Sequence, residues 1–112
     1  MLDWQRLLNL SDWRIIKSDK PSPFMAEVYD FEDEHKLVRY KVGEDFKHTK
    51  VTPESIEATA IHEMLHVRLH PLIQAVSDYG IDAQEVVERE HEIIIVLEPL
   101  LLHLAKLTRE KK

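Results

Sequence analysis

Cysteine is absent from the 112-residue sequence, and basic residues are in the minority. Without cysteine no disulfide framework exists, and a reducing cytoplasm is the expected location. Any metal site must then use histidine and carboxylate ligands. The 21 acidic residues outnumber the 15 basic ones, which gives a formal net charge of −6. This excess argues against nucleic acid as the main partner, because phosphate binding requires a basic surface.

Uninterrupted apolar segments are also missing. The longest apolar run, from Ile93 to Leu102, contains Glu98 and Pro99 and cannot span a membrane. The first ten residues carry two charged side chains and lack the apolar core of a signal peptide. We therefore expect no membrane partner.

What is present fits one globular domain over residues 1–112. Apolar residues make up 44% of the chain and charged residues 32%, a composition typical of globular proteins. The length suits a single domain with a modest core. We find no internal repeat or low-complexity segment that would indicate a different architecture.

Three segments in the first half have the composition of β-strands. The clearest is Leu37–Val42, whose side chains alternate between two faces as in a half-buried strand. Phe24–Phe31 is rich in strand formers, and a charged turn over residues 32–36 joins it to Leu37–Val42, which predicts a hairpin. Trp13–Lys17 is a shorter strand. These segments predict a small antiparallel sheet.

Helix signals follow a polar connection over residues 43–50. Thr52 is suited to cap a helix, and Pro53 suits its first position. This helix is predicted to run to about His70, ahead of Pro71, with a further turn or two before Gly80 ends it.

A long final helix is predicted from Ala83 to about Leu107, capped by Asp82 and kinked or divided at Pro99. The predicted fold class is therefore α+β, with the small antiparallel sheet packed on two helices. The first of these helices carries the candidate site.

That site begins with the segment His62-Glu63-Met64-Leu65-His66. Residues four apart on a helix lie on one face, so His62 and His66 can bind the same metal ion. Glu63 lies about 100° round the helix, beside the ion, where a general base can take a proton from metal-bound water. In a chain with 13 glutamates and seven histidines, chance yields the bare pattern about 0.05 times, so the pattern alone is suggestive.

The side chains around the pattern strengthen this interpretation. Two apolar flanks enclose a polar stripe that contains both histidines, and a helix apolar on two sides is largely buried. A metal ion is one good partner for buried polar groups. Glu57 and Arg68 are predicted to form a narrow solvent face opposite the stripe. The alternative is a pair of histidines hydrogen-bonded in a polar core.

A third ligand is expected from the final helix, because two histidines alone hold zinc poorly. Glu90 is the first choice, since it lies at the centre of an apolar stripe made by Val86, Val87, Ile93, Ile94, Leu97, Leu101 and Leu104. His91 and Glu88 are the alternatives to Glu90 as the third ligand. Glu88, like Glu92, nevertheless projects to the opposite side of the helix from the apolar stripe. A buried Glu90 paired with a base such as Arg14 or Arg39 is also open.

These residues resemble the gluzincin family of zinc metallopeptidases, in which a His-Glu-x-x-His segment is followed by a glutamate on a later helix. The small size and the preceding hairpin are similar to the minimal single-domain members, many of them phage or prophage proteins. The resemblance covers roughly residues 13–102. It implies Zn²⁺ held by His62, His66 and Glu90, with Glu63 as catalytic base. It also implies that the strand before the active-site helix is the sheet edge along which substrate lies.

The expected reaction is hydrolysis of a peptide or amide bond in a peptide or protein substrate. Glu63 accepts a proton from the metal-bound water and passes it to the leaving amine. Two alternatives are a non-catalytic zinc-binding interaction domain and a metal-free helical module. The oligomeric state is not predicted.

Two further expectations concern residues near this segment. His70 is expected to interact with the end of its helix or, less favoured, to stabilise an oxyanion. Trp4 and Trp13 are expected to be core anchors.

Overall fold

The computed structural model describes residues 3–20, 26–43 and 52–110. Its helices are α1 (Trp4–Leu7), α2 (Pro53–Ser77) and α3 (Ala83–Glu110), and its strands are β1 (Arg14–Lys17), β2 (Ala26–Glu32) and β3 (Leu37–Val42). A single 3-10 turn, Asp33–His35, joins β2 to β3. The predicted α+β class, with two long helices and a small sheet, is confirmed. The polar connection predicted over residues 43–50 lies, from residue 44 onward, outside the described residues.

The strand order in the sheet is β1-β3-β2. Strands β2 and β3 pair antiparallel, so the predicted hairpin is confirmed. Strand β1 joins the other side of β3 in parallel, so the sheet is mixed and not, as the sequence predicted, antiparallel throughout. Strand β3 is therefore central, and the expectation that it forms the sheet edge is wrong. The alternation of its side chains predicts a strand but carries no information about which strands lie beside it.

An irregularity in β2 directs the end of this strand towards α2. The pairing with β3 shifts register between Tyr29 and Glu32, and Asp30 has a φ of 52°. A β-bulge of this kind bends the strand and re-aims the side chains that follow it. Phe31 and Asp33 follow it and contact α2.

Helix α2 begins as its sequence predicts. The Thr52 side chain accepts a hydrogen bond from the backbone N–H of Ser55 at 3.0 Å, and the Ser55 hydroxyl oxygen accepts one from the Thr52 N–H at 2.9 Å. The helix continues through Pro71 to Ser77, so the predicted end near His70 is too early. A proline inside a helix removes one backbone hydrogen bond, and packing along α2 outweighs that loss. Gly80, with a φ of 77°, follows the helix as expected.

Helix α3 begins after Asp82, whose carboxylate accepts hydrogen bonds from the N–H groups of Gln84 and Glu85 at 2.8 and 3.2 Å. The predicted cap is thus confirmed. The helix is continuous across Pro99 and is not divided there. A kink at this position stays a prediction.

Two groups of buried side chains make up the core. One joins α2 to α1 and α3 and contains Trp4, Ile61, Leu65, Ile94 and Ala105. The other joins α2 to the sheet and contains Leu10, Trp13, Val38 and Val67. Both tryptophans are buried, as predicted. Helix α2 therefore lies between the sheet and α3, and both sides of it are covered.

Glu57 differs from the sequence-based expectation. It was predicted to face solvent with Arg68, but its side chain is fully buried, whereas Arg68 is exposed. The Trp4 indole N–H donates to the Glu57 carboxylate at 3.1 Å, and the Arg109 guanidinium pairs with the same carboxylate. Helical projection of α2 alone could not show that α1 and the end of α3 cover this side.

No helix in the described parts of the chain combines the length and the apolar character that a membrane span requires.

Candidate metal centre

Helix α2 presents His62 and His66 side by side. Their ring centroids are 5.0 Å apart, and the side chains are 31% and 17% exposed, respectively. This is the geometry expected for histidines one helical turn apart. Both rings face α3, so side chains of that helix form the other side of the candidate site.

A third histidine comes from α3. The His91 ring centroid lies 5.0 Å from that of His66 and 6.1 Å from that of His62. One ligand atom from each of the three side chains lies within 4.8 Å of the others. In the described part of the chain, this is the only group of three potential ligands that meets that distance. Three imidazoles this close together could hold one metal ion, and three protein ligands with a fourth position for water are typical of catalytic zinc sites.

Each α2 histidine has a carboxylate from α3 at its Nδ1 atom. His62 Nδ1 lies 3.0 Å from Glu98 Oε1, and His66 Nδ1 lies 3.2 Å from Glu90 Oε1. An oxygen acceptor at Nδ1 favours the tautomer with a proton on that nitrogen, which leaves Nε2 free as a metal ligand.

The third histidine has the same arrangement with a backbone partner. His91 Nδ1 lies 3.0 Å from the Val87 carbonyl oxygen, one turn earlier in α3. All three rings therefore have an oxygen acceptor at Nδ1. The chemistry of this donor set fits a metal ion held by three Nε2 atoms.

Glu90 is buried at 7% exposure, as predicted from its position on the helix. Glu88 and Glu92 are exposed, also as predicted. The carboxylate of Glu90 lies on the Nδ1 side of His66 and does not belong to the group of three ligand atoms. That Glu90 binds a metal ion directly is still a prediction.

From the sequence, His91 ranks behind Glu90 as the third ligand, and Glu98 is one of the remaining downstream candidates. The buried face of α3 is rotated by roughly 40° from the predicted apolar stripe. Ile93 and Leu104, on the edge of that stripe away from His91 and Glu98, are 42% and 49% exposed. Val87, on the other edge, is 45% exposed, which the rotation does not explain. The rotation turns His91 and Glu98 towards α2. The sequence feature that could have identified His91 and Glu98 is that both are polar and lie on the border of the apolar stripe.

Glu63 lies on the sheet side of the histidine pair. Its Oε2 atom accepts a hydrogen bond from the backbone N–H of Val28 in β2 at 3.0 Å. Burial raises the pKa of the Glu63 carboxyl above its ordinary value, against the opposing effects of the His66 charge and of the Val28 N–H. A carboxylate with a raised pKa is better matched to proton transfer near neutral pH.

The two α2 histidines have pKa values shifted in opposite directions. Burial lowers the pKa of His62, and the nearby charge of His66 adds to this effect. Burial also acts to lower the pKa of His66, but the contact with Glu90 and its charge outweigh burial and raise that pKa. A metal ion binds the neutral imidazole, so it must displace any proton that His66 holds.

His70 does not have the expected position at a helix end, because α2 continues for another seven residues to Ser77. Its ring stacks on Phe31, with centroids 3.7 Å apart and planes inclined by 2°. His70 Nδ1 also lies 2.8 Å from the Asp33 carboxylate. These contacts fasten the turn between β2 and β3 to α2. A role in stabilising an oxyanion stays a prediction.

A cavity of about 520 Å³ lies between α2 and the inner face of the sheet. Glu63 forms part of its wall, and most of the other wall residues are apolar, among them Trp4, Ile15, Val42, Ile56, Ala60 and Met64. Its volume falls in the range of about 300–1,000 Å³ that is common for ligand pockets.

Comparisons of the chain with models of protein families, with curated proteins and with solved structures found no match. The resemblance to gluzincins therefore stands on the residues alone.

Proposed function

We propose that this protein is a zinc-dependent hydrolase of peptide or amide bonds, with Zn²⁺ held by His62, His66 and His91. The observation that carries the proposal is that one ligand atom from each of these three side chains lies within 4.8 Å of the others. Helix α2, which supplies His62 and His66, also supplies Glu63. In this proposal Glu90 supports His66 from its Nδ1 side, instead of binding the ion as the sequence first suggested.

The proposed metal is zinc, one of the ions that histidine ligands suit. The chain has no cysteine, and three neutral imidazoles suit zinc among the common metal ions. Three protein ligands, as opposed to four, are characteristic of catalytic sites. When bound, the ion would acidify a water molecule and polarise the carbonyl of the substrate.

Glu63 is proposed to move the proton in this reaction. The Glu63 carboxylate lies close enough to His66 for their charges to interact. A hydrogen bond from the Val28 N–H holds it in this position. A base in this position accepts a proton from water and returns it to the leaving amine. Because the hydrogen bond uses only one carboxylate oxygen, Oε2, the other is available for the proton transfer.

Substrate is proposed to lie along β2, the edge strand nearest to Glu63, and not along β3. The N–H of Val28 donates to Glu63 and is therefore directed away from the neighbouring strand β3. An extended peptide can pair with the other outward-facing backbone groups of such an edge strand, since the Val28 N–H is bound to Glu63. This placement would bring a peptide carbonyl next to Glu63, and the cavity beside Glu63 could receive an apolar side chain.

Replacement of Glu63 by glutamine tests the proposed reaction. Glu63→Gln keeps the shape of the side chain, so zinc content and melting temperature should stay near wild type. Turnover of a peptide library should fall by about 10²- to 10⁴-fold, the usual contribution of a general base. Glu92→Gln, at an exposed site on α3, is the matched control and should retain full activity. Equal turnover in Glu63→Gln and wild type would reject Glu63 as the base.

A non-catalytic zinc-binding domain is the second candidate. The same three histidines connect α2 to α3, so a bound ion would also cross-link the two long helices. If wild type binds zinc but hydrolyses no member of a broad peptide library, this structural role becomes the better explanation.

A further inference from the structure

Glu98 makes a contact that the proposed function does not use. Its Oε1 atom lies 3.0 Å from Nδ1 of His62, across the interface between α3 and α2 and 36 residues away in the chain. The two side chains are 30% and 31% exposed, so each is held largely among other protein atoms. Polar contacts with this degree of burial are stronger than those on an open surface.

The packing of α3 against α2 fixes the position of Glu98 relative to His62. Leu97 and Leu101, its neighbours on the inner side of the helix, pack against the core group that contains Ile61 and Leu65. This packing fixes how α3 is turned towards α2. The carboxylate is therefore presented to His62 by the same packing that brings His91 to the other two histidines.

We infer that Glu98 is a positioning residue that holds His62 in the Nδ1–H tautomer and in the ring orientation required for metal binding. The inference rests on the proposed metal centre but concerns a different contact. His62 by itself can carry its proton on either ring nitrogen. An acceptor at Nδ1 removes that choice, and a carboxylate also makes the opposite nitrogen a stronger ligand.

Two substitutions separate the acceptor from the charge. Glu98→Gln keeps an oxygen that can accept from Nδ1–H but removes the negative charge. Glu98→Ala removes both. Glu92→Ala, which removes an exposed glutamate from the same helix, is the control for a lost charge near the site.

The tautomer of His62 is measured directly by ¹⁵N NMR of the ring nitrogens in the metal-free protein. We expect Nδ1–H in wild type, in Glu92→Ala and in Glu98→Gln, and a mixture of tautomers in Glu98→Ala. A residue that only contributes to packing would not change the tautomer. Co²⁺ binding, followed by its visible absorption, gives the second readout.

Affinity for Co²⁺ should fall by about 10- to 100-fold in Glu98→Ala, as is typical when such a partner is lost. Glu98→Gln should lie between Glu98→Ala and wild type. If Glu98→Ala retains both the Nδ1–H tautomer and the affinity of wild type, the inference is overturned. If Glu98→Ala does not fold, Glu98→Gln decides, and a Co²⁺ affinity equal to that of wild type would overturn the inference.

The proposed function can fail separately. If wild type binds no Co²⁺ although His62 is in the Nδ1–H tautomer and loses it in Glu98→Ala, the metal centre is rejected. The contact between Glu98 and His62 would then stand as a positioning contact without a metal.

Discussion

At the scale of single residues, an oxygen acceptor lies at the Nδ1 atom of each histidine, so the proposed metal ion would bind through the Nε2 atoms. Glu98 lies at the Nδ1 atom of His62, and Glu90 lies at that of His66. Histidines hydrogen-bonded in a polar core could have the same carboxylate partners, so metal binding by these rings is the property to measure. In the proposed site, Glu90 supports His66 and does not bind the ion.

Glu90→Gln distinguishes the two roles of Glu90. If Glu90 supports His66, the glutamine oxygen can still accept from Nδ1–H, and zinc should stay bound with affinity reduced by about tenfold. If Glu90 is itself a ligand, loss of its negative charge should abolish tight binding. Zinc titration against a competing chelator measures the difference.

His91→Ala and Glu88→Gln complete this comparison. His91→Ala should lose tight zinc binding, whereas Glu88→Gln, on the exposed side of α3, should change nothing. Tight zinc binding in His91→Ala together with its loss in Glu90→Gln would restore Glu90 as the third ligand.

Some residues of the site could be identified from sequence, and others could not. His62, Glu63 and His66 follow from a spacing that acts within one helix. His91 and Glu98 depend on how α3 is rotated against α2, and a small error in the predicted stripe hides both. The burial of Glu57 depends on Trp4 and Arg109, which are more than 50 residues away in the chain. Long-range packing of this kind has no local signal.

At the scale of elements, the start of α2 determines where the site lies. Thr52 and Ser55 satisfy each other's backbone N–H groups, and Pro53 occupies the first position of the helix. These local signals predict the start of the helix correctly. The end was harder to predict, because tertiary packing carries α2 through Pro71.

Thr52→Ala should lower the free energy of unfolding by about 1 kcal/mol, since it leaves a helix N–H without its cap. For a domain of this size the melting temperature should fall by about 4 °C. Thr108→Ala is the control, because the Thr108 side chain is exposed and bonds only to the Leu104 carbonyl in its own helix. Thermal unfolding by circular dichroism compares them, and equal midpoints for the two variants would refute the capping role.

The sheet shows the same division between local and long-range information. Alternation in Leu37–Val42 and a charged turn before it predict the hairpin, and the pairing of β2 with β3 confirms it. The parallel pairing of β1 with β3 joins residues more than 20 positions apart. The order of strands, and with it the strand that forms the edge beside Glu63, therefore required the structure.

At the scale of the whole molecule, α2 and α3 are antiparallel. They contact each other at the candidate metal centre and again between the start of α2 and the end of α3. Near the start of α2, Glu57 pairs with Arg109, and the Glu54 Oε1 atom lies 2.9 Å from the Lys106 Nζ atom. Both partners come from the end of α3. These contacts and the core between the helices support the alignment that brings the histidines together.

Arg109→Ala should lower the free energy of unfolding by about 1–3 kcal/mol, because it removes an ionic partner from a fully buried carboxylate. The Arg109 side chain is 42% exposed, so we expect less than the full cost of breaking a buried ion pair. Arg89→Ala removes an arginine from exposed pairs with Glu85 and Glu92 and should leave the unfolding midpoint unchanged. Urea unfolding is the measurement, and an equal response of the two variants would show that the Glu57 pair contributes nothing.

The zinc content of purified wild type and His66→Ala, measured by elemental analysis at neutral pH, tests the metal centre most directly. His103→Ala is the control, because His103 is an exposed histidine of α3. We predict one tightly bound zinc per chain in wild type and in His103→Ala, and none in His66→Ala. Chelation should also lower the melting temperature of wild type, since metal bound only to the native state stabilises it. Wild type without bound zinc after exposure to the metal, or His66→Ala with undiminished zinc, would contradict the account.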